Sequence, residues 1–156
     1  IFRTYIFYLL APISGIIADK VIKSTSKWFT FLFTILAMLF VGVLFIPSGT
    51  SVTLVSLYTL LPGAIGLALY GIIFSIANET RIPVAVMGTA VGIASIIGYT
   101  PDFFMATMFG TWLDNLGQKG YSYIFVFLAV VSVVGIIASY FIYKRAKAIQ
   151  SAEGVD

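Results

Sequence analysis

Apolar residues fill five long stretches, at about 1–18, 28–46, 52–77, 84–113 and 123–143, and the charged residues fall almost entirely between them. A helix needs about 20 apolar residues to cross a hydrocarbon core of roughly 30 Å, and four of the five stretches meet that length. The first is shorter and opens at Ile1 without an initiator Met. It reads as a span whose beginning is cut, so the expectation is a piece of a larger protein. None of the stretches alternates strictly over about 10 residues as a barrel strand would, and helices of this length satisfy their own backbone hydrogen bonds in lipid. A secretory signal would give one apolar stretch near the start rather than five. The predicted class is all-α: a polytopic transmembrane helix bundle over 1–147, followed by a polar tail over 148–156.

Composition strengthens this reading. The chain is 60% hydrophobic and 10% charged with a mean hydropathy of +1.07, whereas a soluble domain carries about 25% charged residues. Lipid is therefore the expected solvent and partner. Cys and His are absent, which removes disulfides, thiolate chemistry, His-ligated metals and His bases together. No catalytic residue, metal or cofactor is expected, and an intramembrane enzyme would be left with carboxylate or Tyr chemistry.

The net charge of +3 raises nucleic acid as a partner, but the basic residues form no patch interleaved with aromatics. They follow topology instead. With five crossings, Lys20, Lys23, Lys27, Arg81, Lys144, Arg145 and Lys147 fall on one side, and Lys119 and Arg3 toward the other. The positive-inside rule makes the richer side cytoplasmic, C-terminus included. The short turns at 47–51 and 114–120 force neighbouring helices to run antiparallel.

The stretches differ in kind. Those at 28–46 and 123–143 carry little polarity and are expected at the lipid-facing periphery, with Trp28, Tyr123 and Tyr143 near the interfaces. Those at 52–77 and 84–113 hold Pro62, Gly63, Gly66, Gly71, Gly88, Gly92, Gly98, Pro101 and Gly110. Small residues permit close helix approach, and Pro breaks or bends the backbone, so these two are the expected working helices. In the fourth stretch Gly88, Gly92, Ser95, Tyr99, Asp102, Ala106 and Gly110 recur at spacings of three and four, which places them on one face. Ser56, Thr59, Gly63, Gly66 and Tyr70 do the same in the third. The bland reading of both stripes is helix packing.

Asp102 stands out because it lies well inside a span. A carboxylate there costs about 2.5–3.5 kcal/mol unless it is paired, hydrated or protonated. It either takes part in an ion or proton pathway, for which Tyr99 on its own face and Tyr70 on the third stretch are separate polar candidates, or bonds backbone groups freed at Pro101. Arg3, in the first stretch, either snorkels to the outer interface or binds an anion or pairs with Asp102.

At this point the chain resembles a known family. Gly15-Ile16-Ile17-Ala18-Asp19-Lys20-Val21-Ile22-Lys23 is similar to the G-x-x-x-D-[RK]-x-G-[RK] loop of the major facilitator superfamily, with Ile22 where the second Gly is usual. The stretch from Ile82-Pro83 through Gly88 and Gly92 to Tyr99-Thr100-Pro101-Asp102 resembles the eleventh helix of a bacterial nitrate/nitrite-porter-like branch, and Phe2-Arg3-Thr4-Tyr5 suits the same branch. The resemblance covers essentially the whole chain.

It implies helices eight to twelve, five spans of a six-helix half, with helix seven and the N-terminal half of the same protein missing. It further implies a cytoplasmic gate motif opened by Gly15, in which Asp19, Lys20 and Lys23 form a charge cluster partnered by Glu79 and Arg81. The Gly88–Gly92–Gly110 face becomes a sliding surface, and Asp102 faces the path of a small-molecule substrate. The reading is a proton-coupled secondary transporter of the bacterial cytoplasmic membrane, symporter or antiporter, moving a small solute such as an anion by alternating access. A non-transporting sensor or scaffold is the alternative.

Overall fold

A computed structural model describes residues 10–47 and 49–152, and all regular structure among them is helical. Helix α1 (Leu10–Ile16) runs directly into a π-helical turn (Ile17–Ile22). It is followed by α2 (Thr25–Val43), α3 (Val52–Ile72), the short α4 (Ser75–Glu79), α5 (Val84–Leu116) and α6 (Gln118–Ala152). Four of these, α2, α3, α5 and α6, are long and apolar enough to cross a membrane.

Local chemistry sets the ends. Ser24 caps α2 by accepting from the Lys27 N–H at 3.2 Å, and Ser51 caps α3 from the Leu54 N–H at 3.4 Å. Such caps satisfy donors that the first turn leaves orphaned. The loop expected at 114–120 shrinks to Gly117, whose φ of +55° a side chain would resist. A Cβ on Gly120 would lie 2.6 Å from the Trp112 carbonyl oxygen, so the α5–α6 corner closes only because Gly stands there.

The remaining boundaries shift for identifiable reasons. Helix α6 continues past Tyr143 to Ala152, because Lys, Arg, Ala and Gln are good helix formers that extend a span into water. Of the break or bend expected at Pro62 and Pro101, a break is excluded, since both lie inside continuous helices. The interruption falls instead at Ile73-Phe74. Hydroxyls within the spans are returned to their own helix. Ser95 donates to the Val91 carbonyl, Thr100 to Ile96, Ser132 to Leu128 and Ser139 to Gly135, at 2.7–2.8 Å. Polar groups are thereby tolerated in lipid.

The core gathers around α2. Phe29, Leu32 and Leu36 are buried with Ala18 of the π turn and with Ala68, Leu69 and Ile72 of α3. The most extensive helix pair is α2 with α6, followed by α1 with α3, α5 with α6 and α2 with α3. Side chains reinforce these pairs: Trp28 Nε1 donates to Ser14 Oγ at 2.8 Å, and the Tyr58 hydroxyl donates to the Leu39 carbonyl at 2.9 Å. This reverses the expected layout. The strongly apolar α2 is central, and α5, expected as a working interior helix, has no buried residue among those described.

Candidate functional site

The end of α3, the Ile73-Phe74 turn, α4 and the first half of α5 line a cleft. Its volume is about 310 Å³, near the lower end of the range for small-molecule pockets. One wall carries Ile73, Phe74, Ala77 and Thr80. The other is α5, where Ala90, Ala94, Ser95 and Gly98 keep the space open. Tyr70 and Tyr99 span the cleft with their hydroxyls 2.8 Å apart, and either can be the donor. Two bonded hydroxyls leave one O–H and several lone pairs for a solute or water. Asp102 lies three residues beyond Tyr99 on the same helical face and is exposed. A mostly apolar cleft thus carries the bonded Tyr70–Tyr99 pair, with Asp102 beyond its lining on the same helix as Tyr99.

The glycine stripes flank this region without filling it. A Cβ built on Gly63, Gly66, Gly88, Gly92 or Gly110 would meet nothing within 4 Å. Within the described residues they line open surface. Close approach occurs elsewhere: a Cβ on Gly135 would lie 2.7 Å from the Phe33 ring, and one on Gly42 would collide with the Tyr58 hydroxyl. The sequence stripes gave no hint of these two, because one glycine per helix face has no periodicity to notice.

A second hollow, about 320 Å³, lies at the basic end of the bundle and includes Asp19, Lys23, Ser75, Asn78 and Glu79 in its lining. Gly15 packs nearby, its Cβ position 3.6 Å from Ile72 Cγ2. Lys20 is exposed on the π turn, and Lys23 closes that turn with φ +56°. Arg81 follows α4 with φ +53°. The expected partnership of Glu79 with the loop cations takes a different form. Its carboxylate accepts from Ser24 Oγ at 2.6 Å, the Ser26 backbone N–H at 2.7 Å and Ser26 Oγ at 2.9 Å. The anion therefore sits on the N-terminus of α2, where orphan N–H groups and the helix dipole favour negative charge. Ser26 is fully buried beneath it. The Ser24-x-Ser26 pair ahead of an apolar run was a cap signal that could have found this contact. Arg3, the suggested anion-binding residue, lies outside the described residues.

Comparison with known proteins corrects one expectation. No family model matches the chain, and no solved structure matches it. The relatives that the chain does match are inner membrane proteins, and they overturn its assignment to the major facilitator superfamily as a half-fold of a nitrate-porter-like member. The physical reason is that a short loop with one Gly, one Asp and two Lys between apolar helices meets the general needs of a charged membrane turn. It distinguishes families poorly. Here the left-handed residue is Lys23, and the position where the signature has its second Gly holds Ile22.

The chain is similar to Inner membrane protein YihN of Escherichia coli (strain K12), with 33% identity over 136 residues, which is 86% of this chain and 32% of that protein. It is also similar to Inner membrane protein YqcE of the same organism, with 29% identity over 149 residues, 92% of this chain and 35% of that one. It thus spans about a third of the length of the curated relatives it matches. Four helices of membrane-crossing length, together with these relatives, identify the chain as multi-pass and at home in the lipid of an inner membrane.

Proposed function

We propose that this chain forms part of a proton-coupled carrier for a small solute, which passes along the cleft between α3 and α5. The carrying observation is Asp102: an exposed carboxylate midway along a membrane-crossing helix, three residues from a tyrosine pair that bridges the cleft. Exposure to hydrocarbon would cost this group about 2.5–3.5 kcal/mol, so its face requires water, solute or protein against it. Asp102 takes up a proton when the cleft opens to one side and releases it when the cleft opens to the other. Tyr70 and Tyr99 exchange their mutual bond for bonds to the solute. Two conformations with different exposure of the same site suffice for coupling, provided solute and proton bind them unequally. The basic end faces the cytoplasm, as the distribution of Lys and Arg favours.

The test uses the full-length protein in sealed vesicles containing a pH-sensitive dye, challenged with a panel of small organic and inorganic anions and neutral solutes. Wild type should show solute-stimulated proton movement. Asp102→Asn should abolish it while counterflow of the same solute persists. Equal proton movement in Asp102→Asn would remove this residue from the mechanism, and no solute-dependent flux in either protein would favour a sensor or scaffold.

A further inference from the structure

The proposed carrier activity makes no use of the basic end of α6. We propose that the junction of α2 and α6 at this end is a binding site for the phosphodiester headgroup of an anionic phospholipid, held by Lys27 and Lys147. The Lys27 ammonium lies 4.9 Å from the centre of the Tyr143 ring. A cation–π contact fixes the ammonium in place yet leaves N–H donors pointing away from the ring. Lys147 follows Tyr143 by four residues, so it stands one turn further along the same face, and Lys144 is three residues from Lys147. All three lysines are exposed, whereas Ala146 between them is 1% exposed. This last part of α6 is thus packed against the bundle, which fixes the helix positions from which Lys144 and Lys147 project.

Depth favours a lipid as the source of the phosphate. The 35 residues of α6 span roughly 52 Å at 1.5 Å per residue, well beyond a hydrocarbon core of about 30 Å. The apolar run ends at Tyr143, which with Trp28 has the amphipathic ring character of an interface anchor. The lysines then stand at headgroup level with apolar helix faces below them for acyl chains. Local acids do not cancel them: Glu79 is occupied by Ser24 and Ser26, and Asp19 lines the hollow with Lys23. Glu153 and Asp156 lie outside the described residues.

Native mass spectrometry of the full-length protein in neutral detergent tests this by titrating phosphatidylglycerol, phosphatidylcholine and soluble glycerol phosphate. Each lysine near an anionic headgroup contributes about fivefold in affinity. Phosphatidylglycerol should therefore bind at least tenfold tighter than phosphatidylcholine. Lys27→Gln with Lys147→Gln should weaken it by about 25-fold, and the paired Arg substitutions should retain it. Lys119→Gln, at the opposite end of the bundle, should change nothing. Equal retention by wild type and the double Gln variant, or an equal loss in Lys119→Gln, would overturn the site. Competition by glycerol phosphate at the affinity of the lipid would also overturn it, pointing to a free phosphate.

Discussion

Two helix pairs in this molecule are both apolar enough for lipid, yet the pair with three glycines packs closely and the pair with seven does not. Along α2 and α6, Phe33 presses onto Gly135, Phe40 stands 6.3 Å from Phe125, and Ser132, Ser139 and Ala146 are buried. Along α3 and α5, Gly63, Gly66, Gly88, Gly92, Gly98 and Gly110 face open space and the Tyr70–Tyr99 hydrogen bond crosses the gap. In lipid, apolar surface has no reason to prefer another helix to an acyl chain, so shape and hydrogen bonds decide which helices meet. A glycine acquires a packing role only where a bulky neighbour arrives to use the space. The first pair is closely packed, and the second leaves a cleft of about 310 Å³.

That contrast can be broken by substitution. The largest effect is expected at Gly135→Ala: the added Cβ would strike the Phe33 ring, and overpacking of this kind costs about 1–3 kcal/mol. Unfolding in detergent should register it, with partial rescue by Phe33→Leu. Glu79→Ala should follow at about 2 kcal/mol, because the Ser26 N–H would lose its charged acceptor while buried. Hydrogen exchange at the start of α2 should rise in the same variant. Tyr58→Phe should cost about 1 kcal/mol by releasing the Leu39 carbonyl. Smallest of all, Gly92→Ala should stay within about 0.5 kcal/mol, since nothing stands near its Cβ position. A loss at Gly92 comparable to that at Gly135 would mean that the α5 face is covered in the working protein.

Much of this architecture was readable from residue order. Length and apolarity identified four membrane helices, while the first expected span, 1–18, lies half outside the described residues; the glycines marked the α5–α6 corner, and the spacing of Tyr99 and Asp102 put them on one face. The juxtaposition of Tyr70 with Tyr99 was not readable, since nothing in either stripe says that the two helices converge there and diverge elsewhere. Nor was the partner of Glu79. Charge suggested the loop lysines, but a helix N-terminus with two serines offers three short, directed donors, where a flexible ammonium offers one charge and loses rotamer entropy on pairing.

The residue order by itself determined that the chain crosses a membrane as helices and collects most of its positive charge at one end, because both follow from hydration energies that depend on side-chain type alone. It also determined that Asp102 would be costly to leave in lipid. Only the tertiary arrangement decided that α2 sits at the centre, that α5 stands open, and that the packing glycines are Gly42, Gly120 and Gly135. The reason is that helix association in lipid rests on contact between particular surfaces. Such contact exists only once the helices have a fixed separation and rotation.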